Sequence, residues 1–341
     1  MTDQKRIRLM LQSQFKYQEF NAKEALNGLG LSIHPKKLNR LLNDWIKSGV
    51  IRKSGNKRYS CYAFINKHQD VTMLFLDNIE PHKRDYVLEQ LRDLWTYHST
   101  AIEGNTFSLN DTYDVLQYGL TISGKTLAEH QEVVGHKRAL DMLYDLIESG
   151  LPVTKDWLFD MHKAVQAQHV IDIYKPMGDW KIELNGTRAK VKKEGVLTSV
   201  FVEYSHPAHV DALMNEFIDT LNQMSNISME SAPKAYAKLH LGFASIHPFW
   251  DGNGRLARLV SNIPLLKSGL PPIVISNDFR KEYIETLADY QVNGGIPSLK
   301  TGVWPIEVDK TAFEVFCLKN YEPVLSIFDE ATQDSSSEFQ P

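Results

Sequence analysis

The run His247–Arg258, HPFWDGNGRLAR, constrains this chain most, because it fixes a helix end, a turn and a new helix within a few residues. Upstream, Ala235, Tyr236, Leu239, Phe243 and Ile246 recur at helical spacing, so residues 232–246 are expected to form a helix with one broad apolar face. Pro248 disfavours helical backbone at His247 and so stops that helix. Asp251-Gly252-Asn253-Gly254 then turns the chain and aims successive N–H groups into one concavity. A second helix is expected from about Arg255, with Leu256, Leu259, Val260 and Ile263 facing the core at i, i+3, i+4, i+7. Arg255 and Arg258, three apart, are expected to project together from another face.

A glycine-rich turn, a helix N-terminus and two clustered arginines make a site for several phosphates. Asp251 offers a hard oxygen suited to a Mg²⁺ that phosphates also hold. His247, just before the turn, is placed to act as a general base. A lone His-Pro is usually a helix end and a lone Gly-Asn-Gly usually a turn. The whole string in a helix–loop–helix setting is far more specific.

The 341 residues are enough for two or three domains, and charge divides them. Residues 1–67 hold 14 Lys and Arg against 4 Asp and Glu, whereas the rest holds 24 against 38. Residues 4–12, 21–28 (capped by Asn21) and 34–47 are expected to be helical, the last with Leu38, Leu41, Leu42 and Trp45 inward. Val50–Arg52 and Arg58–Phe64 are expected strands around the turn Ser54-Gly55-Asn56. Three helices and a hairpin resemble a small winged helix-turn-helix. It would present Lys36, Lys37 and Arg40 on its recognition helix and Lys53, Lys57 and Arg58 on its wing. Such a module could meet nucleic-acid phosphates, or serve protein contacts or dimerisation.

The remainder is expected to be mainly α: a linker and helix over 68–110, a helical core over 111–320 and a tail over 321–341, polar and disordered at its end. Helices are read at 83–103, from a Ser108/Asp111 capping box to Leu116, and near 126–149, 154–168 and 208–224. At 178–204, Trp180, Ile182 and Leu184 alternate before Asn185-Gly186, which predicts a β-hairpin turning there. GLTISGKT at 119–126 has the spacing of a P-loop but follows a helix rather than a strand, so it is set aside. His130, Glu132 and His136 lack metalloprotease spacing and are expected to be solvated. No apolar run is long enough to span a bilayer, and no membrane partner is expected. Cys61 and Cys317 lie far apart, which suits a reducing cytoplasm.

HPFWDGNGRLAR matches the HxFx(D/E)GNGRxxR motif of Fic-domain enzymes, and RDLWTYHSTAIEGNTFSL resembles that family's N-terminal inhibitory helix, (S/T)xxxE(G/N), through Ser99, Glu103 and Gly104. The 178–204 hairpin falls where the family has its target-binding flap, and the likeness covers roughly residues 80–300. Many relatives carry Arg where this chain has Lys181. The resemblance implies a Fic-type helical bundle that transfers AMP from ATP to a Ser, Thr or Tyr hydroxyl of a target protein. Asp251 would bind Mg²⁺; Gly252, Asn253 and Gly254 would hold the α-phosphate side; Arg255 and Arg258 would hold the β- and γ-phosphates. His247 would take the hydroxyl proton, and Tyr283 and Gln291 would contact the adenosine. Glu103 would pair with Arg258 and hold the activity down, with removal of AMP as a second activity and a homodimer as a further expectation. The rival reading is a DNA-binding regulator with a weakly active Fic-like part.

Overall fold

The computed structural model describes residues 7, 11, 14–15, 19–28, 33–47, 50–55, 60–64, 74–166, 174–193, 196–305 and 308–333. The chain divides into two compact units, Met1–Val71 and Thr72–Pro341.

In the first unit, α1 (Ala22–Gly28) follows the two-residue strand β1 (Phe20–Asn21), and α2 spans Pro35–Lys47. Asn21 Oδ1 accepts the Lys23 and Glu24 N–H groups while Glu24 Oε2 accepts the Asn21 N–H, a reciprocal cap that starts α1. β2 (Ile51–Ser54) and β3 (Cys61–Phe64) pair antiparallel, and β1 adds to the far side of β3. Leu38, Leu41, Leu42 and Trp45 of α2 pack with Ile7, Leu11, Phe20 and Ile51. Lys36, Lys37, Arg40, Arg52 and Lys53 are exposed, whereas Lys57 and Arg58 lie outside the described residues, as does most of the 4–12 helix.

The second unit is a helical bundle. α3 (Pro81–Ile102) leads to α4 (Leu109–Tyr113), which continues as a π-turn over Asp114–Tyr118. The Ser108/Asp111 capping box is present, and so the P-loop-like string follows a helix. Its Lys125 ammonium donates to the Thr106 carbonyl and hydroxyl. α5 (Leu127–Ser149) and α6 (Lys155–Val165) follow, each started by a threonine cap.

β4 (Gly186–Lys193) and β5 (Val196–Glu203) form the hairpin, in register from Gly186 opposite Glu203 to Lys193 opposite Val196. Asn185-Gly186 is therefore not its turn. Residues 180–185 are instead fastened to the 246–249 segment, which overrides their alternation. Trp180 packs on Phe159 and Phe249, with ring centroids 4.6 and 5.1 Å away.

α7 (Pro207–Gln223), α8 (Ala232–Ile246), α9 (Asn253–Val260), α10 (Ile263–Lys267), α11 (Arg280–Gly294) and α12 (Thr311–Gln333) complete the unit. α8 is buried nearly all round rather than on one face, Leu241, Ala237 and Gly242 included, as befits a central helix. The tail expected from residue 321 is helical to Gln333, because Tyr321, Val324 and Phe328 carry a buried apolar stripe onward. Among the described residues no helix is long and apolar enough to cross a membrane.

Candidate functional site

The site forms where α8 ends and α9 begins. His247 closes α8 in the left-handed region (φ 52°), a conformation that costs a non-glycine residue on the order of 1 kcal/mol or more. Its N–H donates to Phe243 O, and its Nδ1 faces the Ala244 carbonyl at 3.4 Å. With Nδ1–H donating there, Nε2 is the nitrogen left to accept a proton. The Tyr204 ring lies flat against the imidazole, 3.7 Å between centroids and 1° from parallel. Burial, with the nearby Lys181 charge second, pushes His247 down to about 3, so the imidazole is neutral at any ordinary pH.

The turn is rigid for identifiable reasons. Asn253 closes on Phe249 from both ends of its amide, Oδ1 accepting the Phe249 N–H (2.9 Å) and Nδ2 donating to the Phe249 carbonyl (2.8 Å). Gly252 sits in the left-handed region (φ 78°) as the N-cap of α9. His162 on α6 stacks on Phe249 at 4.0 Å. Its Nδ1 accepts the Gly178 N–H (2.8 Å), so its Nε2–H donates to the Asp251 carbonyl (3.1 Å). A cleft of about 210 Å³, lined by His162, Gln166, Lys175, Met177, Trp250 and Asp251, opens beside it.

The two arginines diverge instead of projecting together. Arg255 donates to the Val165 carbonyl at the end of α6 (3.0 Å) and to Gln166 Oε1, with Asp251 3.6 Å away. Arg258, only 1% exposed, turns the other way, to α3. Its Nε donates to Ser99 Oγ (3.1 Å), and its Nη2 donates to Ser99 O (2.8 Å) and to Glu103 Oε1 (2.7 Å). A buried guanidinium must find an acceptor for most of its N–H groups, and no single face offers enough.

The Glu103 carboxylate lies over Gly254. A Cβ added to Gly254 would collide with Glu103 Oε1 and come within 3.2 Å of Arg258 Nη1. An anion therefore already rests at the N-terminus of α9 on the Arg258 guanidinium.

Asp251 keeps its carboxylate 61% exposed. Desolvation works against its ionisation, but Arg255, the Gly252 N–H and Gln166 outweigh it and hold the carboxyl below its ordinary range. Among the described residues no group of three His, Cys, Asp or Glu side chains is placed to hold a metal. A single exposed carboxylate beside an anion-binding helix end fits a cation that arrives with phosphates, and does not fit a caged one.

Tyr283, expected to contact the adenosine, is 2% exposed. It is buried behind Arg258, its hydroxyl 3.4 Å from Nη1 and 3.0 Å from His240 Nε2, because α11 packs into the apolar core here. Gln291 is also buried and donates to the Ala244 carbonyl beneath His247. His136, expected at the surface, is fully buried, with Nδ1 3.2 Å from Thr96 Oγ1. His130 and Glu132 hold the Ile122 N–H and the Asn105 amide rather than a metal. His162, Tyr204 and His240 escaped the sequence reading. Each is a lone polar or aromatic residue on an apolar face, and such positions read as core.

Residues 152–265 match the Fic/DOC family. Similar curated proteins include protein adenylyltransferase fic-1 of Caenorhabditis briggsae, 35% identical over 57% of this chain and 36% of that protein. Protein adenylyltransferase Fic of Drosophila mojavensis is 28% identical over 75% of this chain and 47% of that one. The chain thus spans between about a third and a half of the length of these relatives. A Fic-domain signalling protein of Bacteroides thetaiotaomicron shares the fold (TM-score 0.64, 23% identity, 78% of this chain and 95% of that one). So does Fic-1 of Caenorhabditis elegans (TM-score 0.56, 23% identity, 92% and 82%). The turn that joins α8 to α9, with its histidine, aspartate and two arginines, lies within the residues that match the Fic/DOC family.

Proposed function

We propose that this chain is a protein adenylyltransferase that moves AMP from ATP to a Ser, Thr or Tyr hydroxyl of a target protein, with Glu103 as its brake. The observation that carries this reading is the Glu103 carboxylate over Gly254, paired with Arg258, where a terminal phosphate would sit. Supporting it, the curated relatives are named as adenylyltransferases.

In the reaction, the target oxygen attacks the α-phosphorus, the bond to the β-phosphate oxygen breaks, and pyrophosphate leaves. His247 Nε2 takes the hydroxyl proton as the oxygen attacks. The N–H groups at the start of α9 and the Arg258 guanidinium, once freed of Glu103, hold the phosphates in line. A Mg²⁺ bound with ATP would be held by Asp251 and would neutralise phosphate charge. Arg255 reaches the phosphates only by giving up Val165 and Gln166, so on this reading it chiefly fixes α9 against α6. The free cysteines Cys61 and Cys317 suit a reducing compartment.

Glu103→Gly is expected to raise ATP-dependent labelling of itself and of lysate proteins by about 5- to 150-fold, the usual span of such couplings. Labelled ATP, CTP, GTP and UTP supplied in parallel identify the donor. No gain with any of the four would sink the brake.

For residues 1–67 we infer a nucleic-acid contact. The exposed Lys36, Lys37 and Arg40 share α2, with Arg52 and Lys53 on β2 of the same unit. Duplex DNA binding, read by fluorescence anisotropy, is expected to weaken at least about 10-fold between roughly 50 and 200 mM salt, and to weaken further when those three α2 residues become alanine. Absence of binding at the low-salt end assigns the module to protein contacts instead.

A further inference from the structure

We propose that Lys181 is a positioning residue for the general base, holding the backbone turn that presents His247 and joining it to the root of the β4–β5 hairpin. The proposal rests on the reading of His247 as base given above.

The last carbonyls of a helix have no N–H of their own helix to meet, and a left-handed residue followed by proline leaves more of them exposed. Here three of the four carbonyls from Ile246 to Phe249 are met from residues 181–185. Lys181 Nζ donates to the Ile246 carbonyl (3.3 Å), and the Lys181 N–H donates to Pro248 O (2.9 Å). Asn185 Nδ2 donates to Phe249 O (3.2 Å), and its Oδ1 takes the second Nζ bond (2.6 Å). The Asn185 carbonyl in turn accepts the Tyr204 N–H (3.2 Å), and Tyr204 is the residue stacked on the imidazole. The ammonium lies 5.8 Å from that same ring's centroid. Lys181 and Asn185 therefore contact the turn below His247 and also Tyr204, Asn185 through its backbone and Lys181 beside its ring.

The charge state makes the arrangement informative. Lys181 is 2% exposed, and among the described residues no carboxylate lies within ion-pairing distance of it. Burial alone pushes it down to about 7. A buried ammonium that sees only neutral oxygens and a ring costs more than an apolar side chain of the same volume. Its offset is the negative end of the α8 dipole, which it caps. A group so costly and so placed secures the carbonyls flanking His247, a task an apolar side chain cannot do.

The test is made in the Glu103→Gly protein. Lys181→Met keeps the stem and removes the donors. It is expected to lower kcat for AMP transfer by roughly 10- to 100-fold with the ATP dissociation constant changed less than about 2-fold, since a small misplacement of a reacting group acts on rate and not on ground-state binding. Lys181→Arg, which can meet the same oxygens, is expected to recover most of the rate. Independently of turnover, the ¹⁵N spectrum of the His247 imidazole is expected to show one Nδ1–H tautomer in the parent and a mixture in Lys181→Met. If Lys181→Met does not fold, Asn185→Ala, which removes the amide anchor, carries the same two expectations. Unchanged kcat together with a single tautomer overturns the proposal. If Glu103→Gly transfers no AMP, the proposed function fails, and the imidazole spectrum still decides the role of Lys181.

Discussion

Replacing His247 by asparagine in the Glu103→Gly protein is expected to lower AMP transfer on the order of 10²- to 10⁴-fold while ATP binding stays within about 2-fold, the span of a lost general base. Asparagine is the informative choice. It tolerates the left-handed backbone seen at this position, whereas alanine adds strain to the loss of the imidazole. Phosphate binding should persist, because the α9 N-terminus and Arg258 make no contact through the imidazole. Residual transfer reflects positioning and charge neutralisation, which phosphoryl-type chemistry relies on heavily. The measurement is single-turnover transfer from labelled ATP alongside calorimetric ATP binding. Transfer in His247→Asn above about half the parental rate would mean that the proton leaves by another route.

The low basicity of His247 bears on this prediction. An imidazole held near 3 is present as the neutral base throughout the neutral range, so its protonation imposes no acid limb on activity above about pH 4. It accepts the hydroxyl proton only as the oxygen commits to phosphorus. Any acid limb observed near pH 6 must come from another group or from loss of the fold.

The helix–turn–helix at the site was legible because every part of it is local. Pro248 stops one helix, the glycines turn the chain, and Leu256, Leu259 and Val260 face the second helix inward, although that helix ends at Val260 and Ile263 opens the next one. The Ser108 cap was likewise set by a residue three along, Asp111. What escaped depends on partners distant in sequence. Asn185-Gly186 has the composition of a hairpin turn, but the Phe249 carbonyl claims the Asn185 amide and the strands begin after it. Arg255 and Arg258 leave α9 close together, yet long side chains follow the nearest acceptors, which lie on α6 and α3. Tyr283 stands on a helix of mixed pattern, and only the packing of α12 shows that its face is interior. The opposition of Glu103 to Gly254 joins residues about 150 apart, and no periodicity encodes it.

Acidification is expected to unfold the second unit before its carboxylates titrate. His136, His162 and His240 are buried and His247 is half-buried; loss of solvent, with the neighbouring arginine or lysine charges, pushes His162 down to about 4 and the other three to about 3 from 6.5. The unfolded chain protonates all four as pH falls through about 6.5, whereas the folded chain does not until about 4 for His162 and about 3 for the others. Between those values the unfolded state binds more protons, so stability is fully present above 6.5 and is lost as pH falls toward 3. Each site costs up to about 1.4 kcal/mol per pH unit, so by pH 5.5 the four together remove about 6 kcal/mol from a stability on the order of 5–15 kcal/mol. Protonation of His136 or His240 in place is opposed by burial and by Arg258, and each has a ring nitrogen without a partner inside the fold. Urea titrations between about pH 5 and 7.5 are expected to give a slope near four protons per unit at the acid end. His136→Gln removes one titrating group and keeps a polar side chain opposite Thr96, and it is expected to lower that slope by about one proton. A stability flat from pH 7.5 to 5 would show that these imidazoles gain protons without unfolding, and would place solvent in the core around Arg258.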